Sequence, residues 1–400
     1  MKSSTKVFLT VLLLGVAGCS SHASTDTSSG ASSKSPIVIG SVNDITGPQA
    51  SVFGSTNKTL EAWADWTNAN GGVDGHPVKM ITMDTQNNPT TTVSEVKQLV
   101  EQDHAIAIVG AQASYESGYA DYLKQNNIPL IGDGLYNDVS YTYANAYPQG
   151  TTELADIYNM TALGTQKGLN KLAIMYCAEA PACSESNPLL NQDVKQQGAG
   201  VVYSASVSAA APNYTAQCLG AKDAGADSLF IGDSTLVALR IAGDCAQQGV
   251  HLPVVNYGLG ITAQLATPLM DGMMGVEPVM PYFNTSSPAI STMVAALNKY
   301  APGVVGGTSY GMSESYAWAS GLLFTAGAEA AHATGNLTSA ELTKGLDSLS
   351  NETLGGMTPP LSFAAGQDHH VSCSFVIGLA NSKFDMPQGD KLLCAPSANS

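Results

Sequence analysis

The chain of 400 residues contains a single arginine, Arg240, and only 12% of its residues are charged. Bidentate guanidinium clamps on phosphate or carboxylate are therefore almost excluded. An anionic ligand group must be held by backbone N–H groups, hydroxyls or lysine. Positive charge is scarce altogether: 16 Lys and Arg stand against 32 Asp and Glu, a formal net charge of −16. Such a balance repels nucleic acid and anionic lipid, so no nucleic-acid partner is expected. Catalytic motifs are missing as well. There is no G-x-x-x-x-G-K-[ST] loop and no H-E-x-x-H helix, and Gly258-Leu259-Gly260 lacks the third glycine of a dinucleotide fingerprint. No pair of acids stands out by spacing as a general acid and base. The absence of C-x2-C and H-x3-H spacings argues against zinc. No enzyme activity, cofactor or metal is expected.

What is present begins with residues 1–18. Lys2 and Lys6 precede the apolar run 7–16, which ends in Ala17-Gly18-Cys19. A charged start, a short apolar centre and a small-residue cleavage site read as an export signal, too short to span a bilayer. Cysteine directly after Ala-Gly resembles the lipobox of bacterial lipoproteins. The expectation is a chain lipidated on Cys19, exported and anchored at the outer face of the bacterial cytoplasmic membrane. Residues 19–35 are rich in Ser, Ala, Thr and Gly and read as a tether. The remaining length and a hydrophobic content of 44% suit two domains. Setting Cys19 aside leaves Cys177, Cys183, Cys218, Cys245, Cys373 and Cys394, an even number in an exported chain. Spacing favours Cys177–Cys183, Cys218–Cys245 and Cys373–Cys394 as disulfides, among fifteen possible pairings. His369 and His370 read as surface-loop residues.

From Pro36 the texture changes to apolar strand-like runs alternating with helical stripes. Strands are expected at 37–42, 78–84, 105–109, 129–131, 171–176, 201–207, 228–231, 254–256 and 375–379. Helices are expected at 59–70, 115–125, 154–167, 187–197, 214–224, 236–248, 291–300 and 313–334, and Val93, Val96, Leu99 and Val100 make another helical face. Regular alternation with continuous apolar strands implies an α/β fold of two doubly wound, parallel-sheet lobes. In such sheets ligands bind beyond the carboxyl ends of the strands. The exits that follow the strands are therefore the candidate ligand-binding positions: Ala113, Ser114 and Tyr115; Asp133 and Gly134; Glu179; Asp233 and Ser234; and Tyr257. Glycine lets the backbone approach a ligand, and Ser114 near a helix start could serve a carboxylate cradle. Tyr115 and Tyr257 are candidates for stacking, whereas Trp63 and Trp66 read as core.

The run 37–48 and the segment Asn68-Ala69-Asn70-Gly71-Gly72-Val73-Asp74-Gly75-His76-Pro77-Val78 resemble the opening of type I periplasmic binding proteins, in particular the leucine or branched-chain amino acid-binding group of ABC-transporter substrate-binding proteins. The likeness continues through Ile108-Val109-Gly110, Pro129-Leu130-Ile131 and Gly272-Met273-Met274-Gly275. It implies two lobes joined by a three-segment hinge, lobe 1 being 36–150 plus 282–355 and lobe 2 being 151–281 plus 356–396. It also implies a monomer that captures a small polar ligand between the lobes and delivers it to an ABC permease. The family's amino-acid binders present an acid to the ligand ammonium just after the strand at 253–256. Here Tyr257-Gly258-Leu259-Gly260 carries none. Asp133, Glu179 or Asp233 could substitute, or the ligand could be an amide, urea, a carboxylic acid or an aromatic compound. A ligand sensor of the same fold and a secreted hydrolase are the alternative readings.

Overall fold

The computed structural model describes residues 34–396 apart from 136, 137, 180, 259 and 334. Cys19 and the rest of the signal and most of the tether lie outside the described residues. The first sheet comprises β1 (Ile37–Asn43), β2 (Val78–Asp84), β3 (Ile108–Val109), β4 (Leu130–Ile131) and β5 (Ala146–Tyr147). Its order is β2-β1-β3-β4-β5 and every pairing is parallel. The helices in this stretch are α1 (Ala50–Phe53), α2 (Thr56–Ala69), α3 (Pro89–Glu101), α4 (Ser117–Gln125) and α5 (Val139–Thr142).

Local sequence explains these elements. On α2, Leu60, Trp63, Ala64 and Thr67 recur at helical spacing and are all buried. The helix stops at Gly71-Gly72. Gly72 has φ +71°, and a Cβ there would lie 2.2 Å from the His76 carbonyl oxygen, so only glycine fits. On α3, the Asn88 side chain accepts from the Thr90 and Thr91 N–H groups and Pro89 opens the first turn, which together satisfy and pre-set a helix start.

The second half contains α6 (Glu153–Gln166), β6 (Lys171–Cys177), α7 (Pro181–Gln196), β7 (Gly200–Val207), α8 (Thr215–Asp223), β8 (Ser228–Gly232), α9 (Thr235–Gln247), β9 (Val255–Tyr257) and β10 (Met274–Glu277). After α10 (Pro288–Tyr300), α11 (Met312–Ala330) and α12 (Ser339–Asp347), the chain ends in β11 (Cys373–Ala380), β12 (Lys383–Asp385) and β13 (Leu392–Cys394). The strands β7-β6-β8 pair in parallel, and a parallel bridge from Leu229 to Val254 carries the sheet on towards β9 and β10. Beyond β10 the sheet turns antiparallel: β11, which follows α10, α11 and α12, runs against β10, and β12 and β13, joined to β11 in series by short turns, both run against β11.

Helices α10 and α11 return to pack on α2, and α11 also reaches β3 and β4. The two sheets are thus linked by three stretches of chain lying side by side. Thr152 N–H donates to the Val371 carbonyl at 3.1 Å, Thr151 N–H to that of Pro278 at 3.4 Å, and Met280 N–H to that of Met357 at 2.8 Å. The architecture is the two-lobed α/β arrangement with a three-segment hinge. Disulfides join Cys177 to Cys183, Cys218 to Cys245 and Cys373 to Cys394. One expectation is corrected. His369 is not a surface residue: it is buried, its Nδ1 lies 2.7 Å from the Ala146 carbonyl oxygen, and its ring sits 4.7 Å from Tyr147 and 4.9 Å from Phe363. The returning hinge segment passes over β5, which turns His369 inward and leaves His370 exposed.

Candidate functional site

The strand exits of both sheets converge on one cavity of about 150 Å³. That is the scale of a hollow that accepts a benzene-sized guest. Gln49, Val52, Phe53, Ser114, Gly134 and Leu135 line it from the first sheet's side. From the second come the β8 exit as far as Asp233, the β9 exit from Asn256, and the Cys177–Cys183 disulfide. Glu153 and Asp156 of α6 and Tyr316 of α11 complete the wall.

Four sequence-predicted positions meet here: Ser114, Gly134, Asp233 and Tyr257. Tyr115 and Glu179 line a separate, more open hollow with Tyr176 and Ser206. Glu179 accepts from Ser208 Oγ at 2.9 Å and from Ala209 N–H at 2.7 Å, so its carboxylate is used to order its own lobe. Ala113 and Asp133 are buried and absent from the cavity wall. One carboxylate oxygen of Asp133 accepts from Leu135 N–H at 2.9 Å, and burial pushes its carboxyl up to about 7. Ser234 is buried at the start of α9 and is not part of the wall.

The Ser114 donors expected to serve a carboxylate cradle after β3 hold an acid of the chain itself. Ser114 N–H donates to Asp44 Oδ2 at 3.0 Å and Ser114 Oγ donates to the same oxygen. Asn87 Nδ2 adds a bond to Oδ2 at 3.0 Å, and Thr85 Oγ1 donates to Oδ1. Asp44 lies wholly buried beneath these donors. At the next exit Gly134 N–H points to Glu116 Oε1 at 3.4 Å.

Sequence reasoning missed the acids on the other wall. Glu153 and Asp156 occupy the first turn of α6, where carboxylates suit the helix dipole. Glu153 Oε1 accepts from the Tyr257 hydroxyl at 3.0 Å, and Tyr257 stacks on Phe230 at 5.5 Å. Asp156 Oδ1 accepts from Ser374 Oγ at 2.6 Å. Behind them Glu277, at the end of β10, is fully buried; its Oε2 accepts from the Tyr316 hydroxyl at 3.4 Å and its Oε1 has no hydrogen-bond partner. Burial holds the Asp156 and Glu277 carboxyls well above the ordinary range; Glu153 raises Asp156 further and Asp156 raises Glu277. Asp233 Oδ1 accepts from Ser234 N–H at 2.6 Å, its Oδ2 is unpartnered, and burial pushes its carboxyl up to about 7. A signal for Glu153 and Asp156 did exist: two acids three residues apart open a predicted helix right after a hinge crossing. Among the described residues no group of three or more His, Cys, Asp or Glu is placed to hold a metal ion.

The family described as periplasmic binding protein matches residues 36–384. An amino acid binding protein of Pseudomonas aeruginosa is 27% identical over 168 residues, which is 41% of this chain and 39% of that protein, so the match spans well under half of the relative's length. A branched-chain amino acid ABC transporter structure from Thermus thermophilus with bound valine superposes with TM-score 0.80 at 12% identity, covering 90% of this chain and 97% of that one. A fatty acid ABC transporter substrate-binding protein from Thermomonospora curvata gives 0.75 at 18% identity, over 88% and 91%. An R. palustris solute binding protein in complex with benzoate gives 0.70 at 15%, over 88% and 95%. At these identities the likeness is one of fold. The named ligands differ from one structure to the next.

Proposed function

Because the chain belongs to the periplasmic binding protein family, we propose that it is an extracytoplasmic solute-binding protein of an ABC importer, held to the membrane through a lipid on Cys19. It takes a small ligand into the cavity between the two sheets and presents it to the permease when the lobes close about the hinge. The observation that carries this reading is the cavity itself. Strand exits from both sheets line it, with residues as far apart as Ser114 and Tyr257 in one wall. A ligand there touches both lobes at once, and contacts made only in the closed form are what shift the population towards closure.

The test is a thermal-shift panel of leucine, isoleucine, valine, urea, short amides, aromatic acids and small amines, followed by small-angle scattering. A ligand of this protein raises the melting temperature and lowers the radius of gyration, and its uptake by cells depends on the protein. Ligand-driven closure with unchanged uptake would instead support the sensor reading. The mass of the mature N-terminus tests the anchor: a diacylated Cys19 is expected as its first residue.

A further inference from the structure

We propose that this cavity selects a small organic cation that bears no carboxylate; the inference rests on the cavity being the ligand site. Its wall contains no Lys, Arg or His among the described residues, while Glu153, Asp156 and Asp233 all face it. Two buried carboxylate oxygens lack any partner: Asp233 Oδ2 in the wall, and, behind the wall, Glu277 Oε1 on a fully buried side chain bonded to the wall residue Tyr316. An unpartnered buried carboxylate oxygen is costly, and a donor arriving with positive charge removes that cost. The stacked Phe230–Tyr257 pair, Phe53 and Tyr316 supply aromatic side chains around the same space, which suits an ammonium attached to a compact apolar body.

The donors at the two first-sheet strand exits, which could hold a ligand carboxylate, are already engaged. Both Ser114 donors serve Asp44, and Gly134 N–H points to Glu116. A carboxylate entering here would find no free cation, and its charge would be repelled by whichever wall acids are ionised. The chain's own acids stand where an amino acid's carboxylate would be received. Half of a zwitterionic ligand is thereby excluded, while the half that carries the ammonium is favoured.

The experiment is isothermal titration of the whole chain at pH 7.5 with compounds that share one skeleton: 3-methylbutylamine, leucine, 4-methylpentanoate and 4-methylpentanamide, with benzylamine and benzoate as a second pair. An amine is expected to bind at least tenfold more tightly than leucine, and neither carboxylate is expected to give measurable heat. Repeating the amine titration in buffers of different ionisation enthalpy is expected to show proton release, because the buried Asp156 and Glu277 carboxyls must ionise to meet the cation. Asp156→Asn and Glu277→Gln are each expected to weaken amine binding at least tenfold without lowering the melting temperature of the free protein, a separation that a purely structural role would not give. Leucine, 4-methylpentanoate or benzoate binding as tightly as the amines overturns the cation proposal while leaving the solute-binding reading intact. Amine affinity unchanged in both variants also overturns it, as does silence across the whole series; the closure and uptake measurements on the wider panel then judge the solute-binding reading separately.

Discussion

Asp44 shows how much of this site depends on single atoms. Its two oxygens take donors from Thr85, Asn87 and Ser114, all reached across the sheet from the end of β1. Replacing it with alanine strands a buried donor and several part-buried ones at once. At roughly 1–3 kcal/mol for each buried group left unsatisfied, partly relieved by water entering, Asp44→Ala should cost about 3 kcal/mol in urea unfolding. A loss below about 1 kcal/mol would mean that the donors find water freely and that the cradle is not closed. The residue itself was visible in the sequence as part of the family-like opening run. Its partner was not. Ser114 lies 70 residues on, and only the parallel register of β1 with β3 brings the two together.

At the level of elements, long apolar runs and long helical stripes were legible and short pieces were not. The strand expected at 78–84 matches β2, and that at 171–176 stops one residue short of the end of β6. By contrast β3 and β4 keep only two residues each, and β5, β12, β13 and α12 escaped notice. A pair of residues in β5 carries too little periodicity to announce a strand; what makes it one is the neighbouring β4. The acids of α6 were missed for a related reason: their value comes from the Tyr257 and Ser374 side chains brought to them by other strands. The cysteine pairs were legible because each closes within a short stretch of chain: a βα unit, an αβα unit and a run of three strands. Cys218–Cys245 ties α8 to α9 and closes 27 residues, whereas Cys177–Cys183 closes only 6. Loop-closure entropy then ranks them: removing the first pair as Cys218→Ala/Cys245→Ala should cost about 3.5 kcal/mol and removing the second about 2 kcal/mol. Denaturant midpoints of the two double variants check the order, and the reverse ranking would show that native packing outweighs chain entropy here.

For the whole molecule, charge and burial act together. Glu314 is buried with Ser55 Oγ on one oxygen and Gly311 N–H on the other, both at 2.6 Å, yet burial outweighs these bonds and pushes its carboxyl up to about 7. Asp133 and Asp233 are likewise raised to about 7 by burial. In an unfolded chain such carboxyls titrate near 4. Between those two values the folded protein holds protons that the unfolded chain has already lost, so these groups favour folding fully below about pH 4 and lose that contribution as pH rises towards 7. Mutual repulsion in a chain of net charge −16 works in the same direction. The melting temperature is therefore expected to be higher at pH 5 than at pH 8, the opposite of a protein whose paired carboxylates dominate. Glu314→Gln keeps the volume and removes the titration, so calorimetry on that variant should show a smaller difference between the two pH values than the unaltered chain. A difference unchanged by the substitution would assign the trend to net charge alone, and a melting temperature higher at pH 8 would refute the account of the buried acids. The same sign carries over to the cavity, where Asp156 and Glu277 favour the free folded state while protonated and a cation would bind them ionised: conditions that loosen the unliganded protein are those in which its acidic wall is best prepared to take up positive charge.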